Sequence, residues 1–170
     1  DEWVRNNSNN KFDYNGEIAE AGKVDKLILN QAIDNFKIDS YFHSLDIKNF
    51  DVSFARGLSL EDGCATITNF TAYLISEGLE HISKENKITF LVCGGGRKNR
   101  SLINYLKNYL GNKSKISLEL IDNYNLNGDH IESQAFGYLA IRSFMNLPIS
   151  FSTTTGCDEF TVGGKLVKNF

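Results

Sequence analysis

The feature that most constrains this chain is an apolar segment that ends in three consecutive glycines and continues directly into a helical pattern. Residues 88–93 form the apolar, strand-like segment, and Gly94, Gly95 and Gly96 follow it. Glycine has no Cβ, so its backbone can adopt conformations closed to other residues and can approach a bulky group closely. A strand that ends at such a loop before a helix is where open α/β sheets bind nucleotides or sugars. A tight turn without any ligand explains the glycines equally well, so the motif alone leaves both interpretations open.

A strand–helix–strand unit is predicted around these glycines. The segment after them carries apolar residues at helical spacing, and Gly111 is a typical residue at which such a helix ends. Residues 116–121 alternate and then become apolar, which predicts a second strand. Two strands joined through one helix pair in parallel, so the fold class is α/β. The apolar character of residues 88–93 is typical of a parallel strand covered on both faces.

Three further helices are predicted from apolar spacing. One starts near Lys23, a long one follows Ser59, whose side chain is suited to cap it, and the last covers about residues 129–145. The long helix is predicted to bury one face, formed by Ile67, Phe70, Leu74, Gly78 and Ile82. Apart from a weak strand near residues 160–162, only two strands are predicted, and an isolated pair of strands is marginal in water. We therefore expect the chain to pack against another segment or to oligomerise, for example as a homodimer.

Composition limits the function classes. The chain has 170 residues, 41% of them hydrophobic, which suits one domain with a core. Its 18 basic residues are scattered and outnumbered by 21 acidic ones, which disfavours nucleic-acid binding. No apolar run approaches the roughly 20 residues that span a membrane, and no signal peptide is visible, although the sequence begins at Asp1. The three cysteines lack metal-ligand spacing, so we expect reduced thiols in a cytoplasmic protein.

Two polar residues directly after the glycines are candidates for ligand binding. The donors of Arg97 and Asn99 could reach the ribose, base or phosphate of a ligand held over the loop. A structural alternative is helix initiation, in which Asn99 or Ser101 caps the helix that follows. The two roles are compatible.

The start of the last predicted helix holds a second candidate, Glu132. Asp129 and Glu132 lie three residues apart, so Asp129 could cap the helix while Glu132 returns the interaction. The alternative is a role for Glu132 toward a substrate or Mg²⁺. The run at residues 152–156 lacks the order of a phosphate-binding Walker loop and predicts a hydrogen-bonded turn.

Several motifs in this chain, taken together and in their order, resemble a known family. They are Asp1–Trp3, Ala21–Asp25, Asp62–Thr68, Val92–Asn99, Gly128–Ala140 and Pro148–Gly156. The series is similar to the carboxyl-terminal half of anhydro-N-acetylmuramic acid kinase and covers essentially the whole chain. As a set, these motifs are far more specific than the three glycines alone.

The resemblance implies a fold and an activity. The fold would be an RNase H-like lobe of the actin, Hsp70 and sugar-kinase superfamily, with an incomplete, mainly parallel sheet and flanking helices. Residues 1–170 would be the carboxyl-terminal lobe portion. The amino-terminal lobe, which this sequence does not include, would be its partner. The activity would be an ATP- and Mg²⁺-dependent phosphotransfer that opens 1,6-anhydro-N-acetylmuramic acid with water and phosphorylates O6, in peptidoglycan recycling in the cytoplasm. The substrate would be a small amino sugar.

The resemblance also implies roles for individual residues. Gly94, Gly95 and Gly96, with Arg97 and Asn99, would contact the nucleoside of ATP. Glu132 would lie near the anhydrosugar and the metal, while no residue here is predicted to ligate the metal. The phosphate-binding motif and the general-base aspartate of the family have no counterpart in this chain, so we expect it to be inactive alone.

Two other function classes stay open at this point. The first is a noncatalytic nucleotide- or sugar-binding module, in which the glycines bind a ligand and Glu132 only caps a helix. The second is a structural lobe that completes a dimer, which would bind no nucleotide.

Overall fold

The computed structural model describes residues 1–36, 50–83, 87–111 and 115–167. The helices are α1 (Glu2–Asn7), α2 (Glu17–Ala21), α3 (Lys26–Asn35), α4 (Leu60–Ile82), α5 (Arg100–Leu110), α6 (Ile131–Phe144) and α7 (Ser152–Thr155). The strands are β1 (Ile88–Val92) and β2 (Ile116–Leu120), and single turns of 3-10 helix lie at Tyr14–Gly16, Ser53–Ala55, Gly95–Lys98 and Ile121–Tyr124. This is a mixed α/β fold, and its short helices α2 and α7 were not predicted from the sequence.

The predicted strand–helix–strand unit is confirmed. β1 and β2 pair in parallel, with Ile88 opposite Ile116 and Val92 opposite Leu120, and α5 connects them. α5 covers one face of this pair, because its buried Ile103 and Leu106 pack against strand residues of both β1 and β2. The other face is open in the described part of the chain: β1 alternates between half-buried and exposed positions. The prediction that this strand is covered on both faces is therefore wrong for the described residues.

The core is organised around α4. Three clusters of buried residues occur in the described ranges, and α4 supplies a residue to each: Cys64 to the first, Phe70 to the second and Ala72 to the third. The first cluster also takes Trp3 and Val4 from α1, whereas the second takes residues of α3 and the third residues of α5. α4 is thus surrounded by partners from several sides.

The predicted buried face of α4 is only partly correct. Phe70 is buried, but Ile82 is 66% exposed. Most of the buried positions on α4 are instead small or polar: Gly63, Ala65, Thr66, Ala72 and Ser76. Small residues let neighbouring elements approach closely, and a Cβ on Gly63 would lie 2.3 Å from the ring of Trp3. The predicted cap is confirmed, since the Ser59 hydroxyl accepts a hydrogen bond from the Asp62 amide at 3.1 Å.

The last part of the chain is packed differently. α6 forms where a helix is predicted, but none of its residues is buried. Every described residue from Asp129 to Val167 keeps some exposure. The weak strand predicted near residue 161 is a single antiparallel bridge between Ser150 and Thr161. Within the described ranges, no helix combines the length and the apolar character needed to cross a membrane.

Candidate functional site

The loop after β1, residues 94–99, is called the glycine loop below. Gly94 has φ +75°, a left-handed conformation that favours glycine, and its amide donates to the Gly128 carbonyl at 2.9 Å. Gly95 and Gly96 are exposed, and a Cβ added to Gly95 would meet nothing within 4 Å. Gly94 is therefore required by the turn, whereas Gly95 and Gly96 present open backbone.

A cleft of about 410 Å³ lies against this loop. One wall is the glycine loop, and the other is Asp1 together with residues 12–15, here called the amino-terminal wall. Phe12 and Tyr14 are 51% and 64% exposed, with ring centroids 6.2 Å apart. The cleft has the size of small-molecule sites, which are about 300–1,000 Å³. Sequence reasoning missed this wall, because Phe12 and Tyr14 lie at least 80 residues before the glycine loop and reach it only through tertiary packing.

Contacts between distant segments hold the two walls together. Gly16 has φ +80°, and a Cβ there would lie 2.3 Å from Oδ1 of Asn99. The Ser101 hydroxyl donates to the Gly16 carbonyl at 2.9 Å in a buried position. Asn99 Oδ1 accepts from the Leu102 amide at 2.9 Å, which confirms Asn99 as the cap of α5. Its contact with a nucleoside stays a prediction.

Arg97 lies in a network of ion pairs. Its side chain is only 7% exposed, and it donates to Asp122 through Nε at 2.8 Å and Nη2 at 3.2 Å. Nη1 donates to the Gly94 carbonyl at 2.9 Å and to Asp129 at 2.7 Å. These hydrogen bonds lower the pKa of the Asp122 and Asp129 carboxyls below their ordinary value. The predicted contact of Arg97 with a nucleotide stays a prediction.

The capping box predicted for α6 is wrong. The residue before the helix is His130, and no side chain caps it. The Asp129 carboxylate instead accepts hydrogen bonds from Arg97 and from Lys98 Nζ, each at 2.7 Å, and two cations outcompete a single amide for it. Glu132 lies exposed in the first turn of α6. Its carboxylate forms no hydrogen bond or ion pair with the described residues, and its predicted role toward a substrate or Mg²⁺ stays a prediction.

The structure brings most of the predicted site residues to one edge of the sheet. The glycine loop follows β1, while Asp122, Asp129 and Glu132 follow β2. The carboxyl ends of parallel strands are where ligands bind in open α/β sheets. Among the described residues, no group of three or more His, Cys, Asp or Glu is arranged to hold a metal ion.

The chain is similar to a family of kinases. The sequence profile of the family "Anhydro-N-acetylmuramic acid kinase" matches residues 1–169. A relative of that name from Pelagibacter ubique is 48% identical over all of this chain and 46% of its own length. Relatives of the same name from Rhizorhabdus wittichii and Zymomonas mobilis are 36% and 34% identical, over 96% and 98% of this chain and 44% of their own lengths. The chain thus spans less than half the length of these relatives.

Proposed function

Because this chain belongs to the anhydro-N-acetylmuramic acid kinase family, we propose that it is the nucleotide-binding portion of such a kinase. The reaction would open 1,6-anhydro-N-acetylmuramic acid with water and transfer the γ-phosphoryl group of ATP to O6, giving N-acetylmuramic acid 6-phosphate. The observation that carries the proposal is the family match over residues 1–169. A cytoplasmic location in peptidoglycan recycling follows from the same proposal.

The activity is proposed for a unit larger than this chain. The chain aligns with 44–46% of its relatives' lengths. By the resemblance, the phosphate-binding motif and the general-base aspartate belong to the amino-terminal lobe, with which this lobe would close over ATP. The small two-stranded sheet is compatible with part of an RNase H-like lobe. We therefore propose residues 1–170 as a carboxyl-terminal lobe portion that is inactive alone.

The cleft fits the nucleoside of ATP better than its phosphates. Phe12 and Tyr14 offer aromatic faces to a base, and the open backbone of Gly95 and Gly96 allows close approach. Asp13 lines the same cleft and adds a negative charge that would repel phosphates, and its two carboxylate oxygens accept hydrogen bonds from the Ile18 and Ala19 amides. Mg²⁺ in such sites is held mainly by phosphates and water, and it would offset the charge of the transferred phosphoryl group. We assign none of its ligands to this chain.

Glu132 is proposed to act on the substrate side of the same edge. Its carboxylate is exposed and is not used for helix capping, so a sugar hydroxyl or a hydrated Mg²⁺ could bind it.

A chimera tests the proposed function. This chain replaces the matching segment of the Pelagibacter ubique relative, and ATP-dependent phosphorylation of 1,6-anhydro-N-acetylmuramic acid is measured. We expect turnover by the chimera and none by the 170-residue chain alone. A folded but inactive chimera, beside an active parent relative, would contradict the proposal. Titration of Mg-ATP into the same chimera then separates the alternatives: binding without turnover indicates a noncatalytic module.

The role of Glu132 is tested with Glu132→Gln in the chimera. Loss of one directed interaction with the reacting groups is expected to reduce kcat by about 10²-fold while the circular dichroism spectrum stays unchanged. The matched control is Glu61→Gln, because Glu61 is also an exposed acid in the first turn of a helix. Equal activity of the two variants would show that Glu132 has no role in the reaction.

A further inference from the structure

We propose that Arg97 is a positioning residue: it ties the loop after β1 to the loop after β2, holds the start of α6 beside the glycine loop, and does not itself bind the ligand. Its effect on catalysis rests on the proposed function, whereas its effect on the two loops does not. This role differs from the contact with the nucleoside that the sequence predicts.

The contacts of Arg97 link two separate segments. Within its own loop the guanidinium donates to the Gly94 carbonyl, and across to the second loop it donates to Asp122 and Asp129. These interactions use four of its five N–H groups. With so few donors left and a side chain 7% exposed, Arg97 has little capacity to bind a ligand in the cleft.

The backbone of the two loops packs closely around the Arg97 side chain. The amide of Gly94 donates to the carbonyl of Gly128, which brings the two loops together directly. Gly128 is buried, and a Cβ there would lie 2.3 Å from Nε of Arg97. The second loop therefore approaches the guanidinium as closely as a residue without a side chain allows.

The link between the two loops requires arginine at position 97 and not merely a positive charge. A planar guanidinium can bind both oxygens of Asp122 and still reach Asp129, whereas an ammonium is a single compact charge that cannot span both. Lys98 illustrates the difference, because among the described residues it pairs with Asp129 alone and is 53% exposed. We therefore expect lysine at position 97 to keep the charge but lose the link between the loops.

The ion pair between Arg97 and Asp129 also bears on the position of Glu132, because both acidic residues lie at the start of α6. Asp129 lies two residues before the helix begins at Ile131, and no side chain caps that end. The ion pair with Arg97 therefore helps to hold the start of this helix, together with the ion pair between Lys98 and Asp129 and the hydrogen bond from Gly94 to Gly128, and Glu132 lies in its first turn. A residue that orients a catalytic group without touching the nucleotide alters kcat more than the KM for ATP.

The first part of the test uses the 170-residue chain with Arg97→Lys. We expect amide exchange at Gly94 to accelerate by about tenfold, since charge-assisted hydrogen bonds that hold its acceptor are lost. The Ser83 amide, at the end of α4, is the internal reference, and Arg100→Lys is the matched control because Arg100 is exposed nearby. Unchanged exchange at Gly94 in Arg97→Lys would overturn the proposal.

The second part measures kinetics of the same variants in the active chimera. For Arg97→Lys we expect kcat to fall by about tenfold, with the KM for ATP within about threefold of the parent. A raised KM with unchanged kcat would overturn the proposal, because it would show that Arg97 binds the nucleotide. If the chimera with Arg97 intact has no turnover, the proposed function fails, while the exchange experiment still decides whether Arg97 links the loops.

Discussion

α5 and α6 are both predicted from apolar residues at helical spacing, yet the two helices are packed in opposite ways. α5 buries Ile103 and Leu106 against α4 and the sheet, and its Leu110 is also buried. α6 buries nothing, and Phe136 and Phe144 on it are 65% and 77% exposed. An apolar period therefore predicts that a helix forms, but it does not tell whether the chain itself supplies the partner that covers the apolar face.

The residues up to Gly128 and the residues beyond it, here called the two regions, also differ in the interactions that stabilise them. Up to Gly128, buried side chains from several helices converge on α4. Beyond it, the described contacts are mainly polar: Arg142 Nε donates to the Pro148 carbonyl at 2.8 Å, and the Ser143 hydroxyl contacts the Gly163 carbonyl. Large exposed apolar patches are unusual on monomers and mark interaction surfaces. Variants in the two regions are therefore expected to differ in their effect on stability.

The strongest contrast is expected between Leu106→Ala and Phe144→Ala in urea unfolding of the chain. Leu106 is 3% exposed, so its truncation should lower the free energy of unfolding by about 2–5 kcal/mol. Phe144 contacts solvent, so its truncation should change that free energy by no more than about 0.5 kcal/mol. Similar losses for both variants would show that the α6 face is packed in solution and would remove the contrast.

Two glycine-to-alanine variants compare the stability of the regions on either side of their boundary. Gly128→Ala should destabilise the chain by about 1–3 kcal/mol, because the added methyl group displaces a guanidinium held by several hydrogen bonds. Gly137→Ala, inside α6, should stabilise it by up to about 1 kcal/mol, since its Cβ meets nothing within 4 Å and alanine favours helix. Thermal unfolding of both variants measures the difference, and a neutral Gly128→Ala would refute tight packing at Arg97.

The ion pairs that join the regions should depend on pH only in acid. Hydrogen bonds from Arg97 lower the pKa of both Asp122 and Asp129 below the ordinary 3.8. A carboxyl with a lowered folded-state pKa contributes stability that is complete above the ordinary value and is lost as the pH falls toward the folded-state value. The NMR shift of the Gly94 amide should therefore stay constant above pH 5, roughly one unit above 3.8, and change only below it. A transition near neutral pH would contradict the assignment.

The last prediction concerns the alkylation of two cysteine thiols, one buried and one exposed. Burial and the adjacent Asp13 raise the pKa of Cys64 to about 12, whereas Cys93 is exposed just before the glycine loop. Iodoacetamide on the folded chain should modify Cys93 and leave Cys64 unmodified, because the thiolate is the reacting form. Mass spectrometry of the alkylated peptides checks this. Early modification of Cys64 would show that the first core cluster opens readily.

Local features of this fold could be predicted from the sequence, and long-range ones could not. β1, α5 and β2, and the caps Ser59 and Asn99, follow from residues close together in the chain. The buried face of α4 was partly missed because small residues such as Ala72 are buried where helices cross, which spacing of large apolar residues does not reveal. The same limit applies to Asp129, whose carboxylate is drawn away from α6 by Arg97, 32 residues earlier.

In the candidate site, too, local features could be predicted from the sequence and long-range ones could not. The open backbone of the glycine loop is visible in the sequence, since three consecutive glycines are a local signal. The amino-terminal wall is not, because Phe12 and Tyr14 reach the loop only through tertiary packing. Family membership supplies the proposed substrate and reaction, which the geometry of this chain alone does not identify.

The hydrogen bond from Ser101 to the carbonyl of Gly16 joins residues 85 positions apart in the sequence. Closing a loop of that length costs conformational entropy before the contact gives any stability. During synthesis on the ribosome, the segment carrying Phe12 and Tyr14 emerges before the glycine loop does. We therefore expect the cleft to be completed late in folding, so that a chain interrupted before α5 would leave the ribosome with those aromatic residues exposed and no opposing wall.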